Sequence, residues 1–295
     1  MDGSLDEAKR QQPSPVTAHE ARAVRLSVVI DGRLDAARAG QVATLTDRLG
    51  LAGVWLRYPW WPLSGMPVSE TGRAGLLAAL AVGARVPPGL VVDADAAGPG
   101  EAAGAWLDRA TGLPAKASLR IALAGAPPAV ARWQGLVGRR PGLTVTQLAL
   151  PARDASAQAA VFVPCAPGRD LAGEVSAAAS AAGGRPVLAE VTVSVGRTAA
   201  EARARADADE LFTLAGHPAQ QGLFGTLEEC QATAARLAHA GATELVCYLP
   251  LASDLPDVLA QLRSIAIGAG VLRPGEPPSP APPPPAGWGG RRFTP

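Results

Sequence analysis

The chain reads as a (β/α)8 barrel, and three features of its 295 residues point there. Short apolar, β-branched runs alternate with helix-compatible stretches between residues 24 and 271, as repeated βαβ crossovers in a parallel sheet require. The unit is clearest from Arg185 to Pro250, where strand, helix, helix and strand follow in order. No glycine-rich dinucleotide fingerprint follows the first strand, where the chain reads DGRLDAA, so a closed barrel fits better than an open doubly wound sheet.

Eight strands are expected: Arg25–Ile30, Gly53–Arg57, Gly89–Val92, Leu119–Ala124, Thr144–Leu150, Val161–Pro164, Val187–Val195 and Glu244–Leu249. The seventh sets Val187, Leu188, Val191, Val193 and Val195 in one run, of the kind buried on both faces in a parallel sheet. Helices are expected at Ala36–Leu49, Arg73–Val82, Gly100–Ala110, Pro128–Val137, Ala152–Ala159, Leu171–Ala182, Ala199–Leu211, Leu227–Ala240 and Pro256–Ile267. Thr198 with Glu201, and Thr226 with Glu229, have the spacing of capping boxes, which start helices. Glu201/Arg205, Arg203/Asp207 and Arg205/Asp209 then place opposite charges four apart on a solvated face.

Residues 1–23 form a polar N-terminal tail, 24–271 the barrel, and 272–295 a proline-rich C-terminal tail. Pro274, Pro277, Pro278, Pro280 and Pro282 to Pro285 favour polyproline II over a packed element. That tail is either disordered or laid along the body with Trp288 as an anchor.

With 48% hydrophobic residues the chain can bury a large core. A net charge of +1, from 27 basic and 26 acidic residues, gives no field for nucleic acid or an anionic membrane. The three cysteines, Cys165, Cys230 and Cys247, show neither CxxC nor metal-ligand spacing, so they are expected as free core thiols and no metal site is expected. The N-terminal residues lack the apolar region of a secretory signal, and no run reaches the roughly 18 apolar residues of a membrane span. A cytoplasmic protein acting on a small molecule is the expectation.

In this fold the working face is the carboxyl end of the strands. The polar residues expected there are Asp31, Arg57 and Tyr58 with Trp60 and Trp61, Asp93, Asp95, Gly125, Arg153, Cys165 with Arg169, Gly196 with Arg197, Tyr248 and Ser253. Asp31, Arg57, Tyr58, Trp60, Trp61 and Cys165 form the candidate substrate pocket. The tryptophans of WLRYPWWP either stack on a planar ring or plug the mouth or a subunit interface. Arg197 and Thr198 stand at a helix N-terminus, where a phosphate binds or ordinary capping suffices. His217 is the one histidine placed near the mouth, and no catalytic residue is assigned. GxSxG, HExxH and P-loop motifs are absent, which leaves hydrolase and kinase readings without support.

Three segments resemble the luciferase-like superfamily of flavin- or coenzyme F420-dependent monooxygenases: GLAGVWLRYPWWP, LDRATGLPAKASLRIALAG and FGTLEECQATAARLAHAGATELVCYLP. The resemblance spans roughly residues 25 to 270 and implies a barrel whose mouth holds FMN or F420. Carried onto this chain, it puts the ring at a bulge near Leu90, Val91 and Asp93, and the phosphate near Gly125 and near Gly196, Arg197 and Thr198. The chain departs from the family pattern at VVDADAAGPG after strand three and at GAPP after strand four. Three functions follow: a flavin- or F420-dependent oxidoreductase; a barrel without cofactor that serves as a structural, homodimer or heterodimer partner; or a cofactor-free barrel holding a phosphorylated metabolite through Arg57, Arg197 and Asp93.

Overall fold

The computed structural model of the chain describes residues 24–30, 34, 36–58, 77, 80, 86–95, 117–138, 143–155, 159–165, 169–209, 222–249, 254–272 and 274. Within them lie nine strands: β1 (Arg25–Ile30), β2 (Val54–Tyr58), β3 (Gly89–Asp93), β4 (Ala117–Ala124), β5 (Leu143–Leu150), β6 (Ala160–Val163), β7 (Val187–Val195), β8 (Leu223–Gly225) and β9 (Glu244–Tyr248). The described helices are α1 (Ala36–Arg48), α2 (Pro127–Gly138), α3 (Leu171–Ala182), α4 (Ala199–Asp207), α5 (Leu227–His239) and α6 (Leu255–Gly268).

All pairings are parallel, and the sheet closes. It runs β6-β5-β4-β3-β2-β1-β9-β7, and β6 returns to β7 with Val161 opposite Val187. The nine-residue β7 is shared: Leu188 to Thr192 pair with β9, while Val193 to Val195 pair with the short β8. Eight strands therefore make the barrel and β8 adds to its carboxyl rim.

Side chains alternate between two cores. Leu26, Val28, Leu56, Leu90, Val92, Ile121 and Leu123 pack outward against helix residues such as Val42, Trp133, Val175, Leu237 and Leu262. Val29, Trp55, Val91, Ala122, Ala149, Phe162, Leu188, Val246 and Tyr248 fill the inside. A barrel strand has no solvent face, so both parities are apolar and all nine residues of β7 are buried. Gly89 is part of that inner packing: a Cβ there would stand 2.1 Å from the Trp55 indole, so β3 needs glycine for β2 to carry its tryptophan inward.

Of the two expected capping boxes only the second is complete: Glu201 Oε2 takes the Arg197 amide in place of the Thr198 amide, so the first keeps one half, Thr198 Oγ1 on the Glu201 amide. Thr226 Oγ1 accepts from the Glu229 amide at 3.3 Å while Glu229 Oε2 accepts from the Thr226 amide at 2.8 Å, which fixes the start of α5. Three further expectations differ. Asp209, expected on a solvated face of the helix Ala199–Leu211, is 2% exposed and lies beyond α4, which ends at Asp207. Ala152–Ala159 is no helix over the residues described: Ala152 to Asp154 form a turn closed by Asp154 N–H on Pro151 O. Leu223–Gly225 is a strand between the expected helices Ala199–Leu211 and Leu227–Ala240, where no strand was expected. The helix expected at Gly100–Ala110 lies outside the described residues, as do the polar tail 1–23, His217 and almost all of the proline-rich tail; Leu77 and Leu80 within the expected Arg73–Val82 helix are helical and buried.

Candidate functional site

Polar side chains enter the barrel in two layers. At the amino end of the strands, Glu244 is fully buried and receives Arg120 Nη2, Arg25 Nη2 at 3.0 Å and Trp55 Nε1 at 3.2 Å. Trp55 Nε1 also reaches Ser27 Oγ at 2.9 Å, and Arg120 lies over the Trp55 ring at 4.2 Å and donates to Gln147 Oε1 at 2.9 Å. Burial works against the Glu244 carboxylate, yet the guanidinium groups of Arg120 and Arg25 overrule it and hold its pKa below the ordinary range. This layer is a saturated floor.

The second layer stands toward the carboxyl end. Arg57 Nη1 donates to Glu190 Oε1 at 2.6 Å and to Tyr248 Oη at 2.9 Å, and Arg57 Nη2 lies 3.8 Å from Asp93 Oδ2. The other oxygen of Glu190 accepts the Cys165 amide at 3.0 Å. Arg57 and Tyr248 are almost wholly buried and Glu190 completely so, whereas Asp93 is 36% exposed. Burial alone would lower the Arg57 pKa, but the Glu190 carboxylate and Tyr248 oxygen carry it above its usual value, so the guanidinium is permanently charged. Burial, with the Glu190 charge added, pushes the Tyr248 phenol well above its usual range and keeps it protonated. The same two causes push the Cys165 thiol up to about 12, so it is no thiolate nucleophile at neutral pH.

This layer joins four of the sequence-derived candidates. Arg57 and Asp93 contribute side chains, Cys165 contributes its backbone, and Tyr248 completes the cluster. Glu190 was missed. A carboxylate in the middle of VLAEVTVSV was the available signal, because a charge inside a strand buried on both faces must meet a counter-charge within the barrel. Val91 also points inward, but the Leu90 side chain packs in the outer core and offers the interior only backbone. The register irregularity among the described strands lies at Leu119 and Arg120 in β4, and β3 itself pairs with β2 and β4 without one. Asp31, Trp60 and Trp61 lie outside the described residues, and of Tyr58 only the backbone, ending β2, is described.

The rim loops are closed by the chain's own carboxylates. After β4, Asp95 Oδ2 accepts the Ala126 amide at 2.9 Å, and Arg153 Nη2 donates to Gly125 O at 2.8 Å. Gly125 has φ +128°, and a Cβ there would stand 2.9 Å from Asp95 Oδ2, so the turn suits glycine on both counts. After β7, Glu201 Oε2 accepts the Arg197 amide at 2.9 Å and Arg197 Nε at 3.1 Å, while Thr198 Oγ1 caps the Glu201 amide at 3.1 Å. The Gly196 amide donates to Gly225 O at 2.9 Å. For a flavin or deazaflavin, the inward Val91, Phe162 and Tyr248 are buried among their neighbours, and the partly exposed Asp93 is the acceptor beside them that a planar ring would meet. The loops at Gly125 and Gly196 do not suit its phosphate. Among the described residues no group of three or more His, Cys, Asp or Glu is placed to hold a metal ion, and no helix is long and apolar enough to cross a membrane.

No family model and no curated protein sequence matches the chain. Solved structures do match in shape. The apo-MsnO8 crystal structure aligns at TM-score 0.56 and 18% identity over 84% of this chain and 99% of that one. The coenzyme F420 dependent tetrahydromethanopterin reductase from Methanopyrus kandleri aligns at 0.53 and 9% over 83% and 97%. The EDTA monooxygenase EmoA from Chelativorans sp. BNC1 aligns at 0.53 and 12% over 85% and 95%. With these structures the chain shares a closed (β/α)8 barrel, the fold that its resemblance to the luciferase-like superfamily implied.

Proposed function

We propose that the chain is a luciferase-like oxidoreductase that takes a small-molecule substrate, with a flavin or F420-type ring, at the carboxyl end of its barrel. The observation that carries this is the layer of Arg57, Glu190, Tyr248 and Asp93. These groups lie inside a closed parallel barrel, at the end where such folds do their chemistry. Charged groups are costly to bury, and packing alone would favour aliphatic side chains throughout this layer, like the Val246 that stands beside Glu190. The solved structures named as an F420-dependent reductase and as a monooxygenase support the same class through shared fold.

A bound flavin or deazaflavin supplies the hydride or oxygen chemistry, while the protein supplies orientation and electrostatics. In this chain Glu190 fixes the Arg57 guanidinium from below, so that Arg57 presents a permanent positive charge behind Asp93. The protonated Tyr248 locks the same pair from β9. Protein purified from a host that makes both cofactors is expected to carry a visible absorption band whose released ligand identifies the ring. A colourless protein whose Tm does not move on adding FMN or F420 overturns the proposal.

One observation favours a second function, a barrel that has given up its cofactor and serves as a homodimer or heterodimer partner: both expected phosphate loops are filled by Asp95 and Glu201. Turnover by the isolated chain with reduced cofactor excludes it.

A further inference from the structure

Phosphate sites at barrel rims work by leaving backbone N–H groups unpaired at a helix start and a cation nearby. The β7 rim loop has both features, and has already spent them: the Arg197 amide and side chain, 92% exposed, converge on Glu201 Oε2. The Arg197 amide above all, and then its guanidinium, hold the Glu201 carboxyl below the ordinary carboxylate range, so the loop carries its own anion at neutral pH. The turn is also packed shut, since a Cβ on Gly196 would stand 2.5 Å from the Ala202 nitrogen. After β4 the Ala126 amide goes to Asp95, and the next two residues, Pro127 and Pro128, have no N–H to offer.

We infer that Glu201 and Asp95 act as built-in anions that exclude phosphate from both rim loops, so the mouth selects a planar ligand by its ring and not by a phosphate. The ring half of this inference rests on the proposed oxidoreductase function; the excluded phosphate rests on the loops alone. At the inner layer, Arg57, Glu190 and Tyr248 are buried and engaged with one another, and Asp93, 36% exposed beside Arg57, is the carboxylate of that layer that reaches toward the mouth. A ligand edge bearing N–H donors complements it, whereas a second anion there meets two carboxylates for one guanidinium.

The test uses the full-length chain with FMN and riboflavin, which differ by the phosphate alone, and with inorganic phosphate against chloride at equal ionic strength. The two flavins are expected to bind with dissociation constants within about threefold of each other. Inorganic phosphate is expected to leave the wild-type Tm where chloride leaves it. Glu201→Ala, which releases the Arg197 amide and guanidinium together, is expected to gain a phosphate-dependent rise in Tm. Glu201→Gln, which keeps an acceptor without the charge, is expected to gain less. FMN bound about tenfold or more tightly than riboflavin by the wild type overturns the inference. So does a wild-type Tm that rises in phosphate as much as that of Glu201→Ala. A Glu201→Ala chain that gains nothing removes Glu201 from the role assigned to it. If neither the flavins nor F420 bind, the proposed oxidoreductase falls, and the phosphate melting curves still decide the exclusion.

Discussion

Glu190 and Glu244 are both completely buried inside the same barrel, yet they sit in opposite electrostatic settings. At the floor, two guanidinium groups, Arg120 and Arg25, surround the single carboxylate of Glu244. Nearer the mouth the ratio reverses, with Glu190 and Asp93 around the single Arg57. The floor is also backed by the Trp55 indole and Ser27, which use up the remaining hydrogen-bonding capacity, whereas the upper layer ends on a carboxylate that reaches solvent. A saturated network specifies the closed end of a barrel; an open one, with charge to spare toward water, is where a ligand gains something by arriving.

That contrast is broken most severely at the floor. Glu244→Gln leaves Arg120 and Arg25 facing each other without a carboxylate, and the expected loss is about 3–5 kcal/mol in denaturant unfolding. A cost near zero would mean that the floor is wet and not sealed. The same group sets an acid limit. Its folded pKa lies below its unfolded value of about 4.3, so its contribution is complete above that pH and disappears as pH falls through the folded value. The acid side of a stability–pH curve is therefore expected to flatten in Glu244→Gln relative to the wild type, and an unchanged slope would remove Glu244 from acid unfolding.

Glu190→Gln sharpens the comparison from the other side. Arg57 then retains Asp93 at 3.8 Å, and the amide still accepts one hydrogen bond, so the expected cost is smaller, about 1–3 kcal/mol. Ring or substrate affinity is expected to fall in the same variant, because Arg57 loses the charge of the partner that fixes it at 2.6 Å. If Glu190→Gln destabilises as much as Glu244→Gln, the two layers are one structural network and the mouth has no special status.

The barrel was legible because βα alternation survives in apolar runs and because capping boxes such as Thr226 with Glu229 announce helix starts by chemistry that needs no tertiary contact. The three-residue β8 was not, since its pairing depends on the upper half of β7 reaching past the barrel. The site was half legible. Arg57, Asp93 and Tyr248 end strands and are visible as polar punctuation; Glu190 lies mid-strand and Leu90 was given to the ring although its neighbour Val91 faces inward. Strands buried on both faces show no polar alternation from which to read the inward parity. The buried charges do supply it: Arg57 turns Trp55 inward with it, and Arg120 does the same for Ala122 and Ala124.

Tyr248→Phe is the mildest of these tests and separates packing from ligand binding most cleanly. The ring stays in the inner core, and only the hydroxyl that accepts from Arg57 and bonds to Glu190 is removed. Glu190 keeps Arg57 at 2.6 Å and the Cys165 amide at 3.0 Å, so no buried charge is stranded and the expected stability loss is only about 0.5–1.5 kcal/mol. What changes is the restraint on Arg57, which loses its tie to β9 while Glu190 still holds it beside Asp93. If the upper layer serves to hold Asp93 and Arg57 ready for a ligand, affinity measured by fluorescence titration falls further than the stability cost accounts for. If affinity and stability fall together or not at all, the hydroxyl belongs to the packing, and the layer above the floor is a second floor.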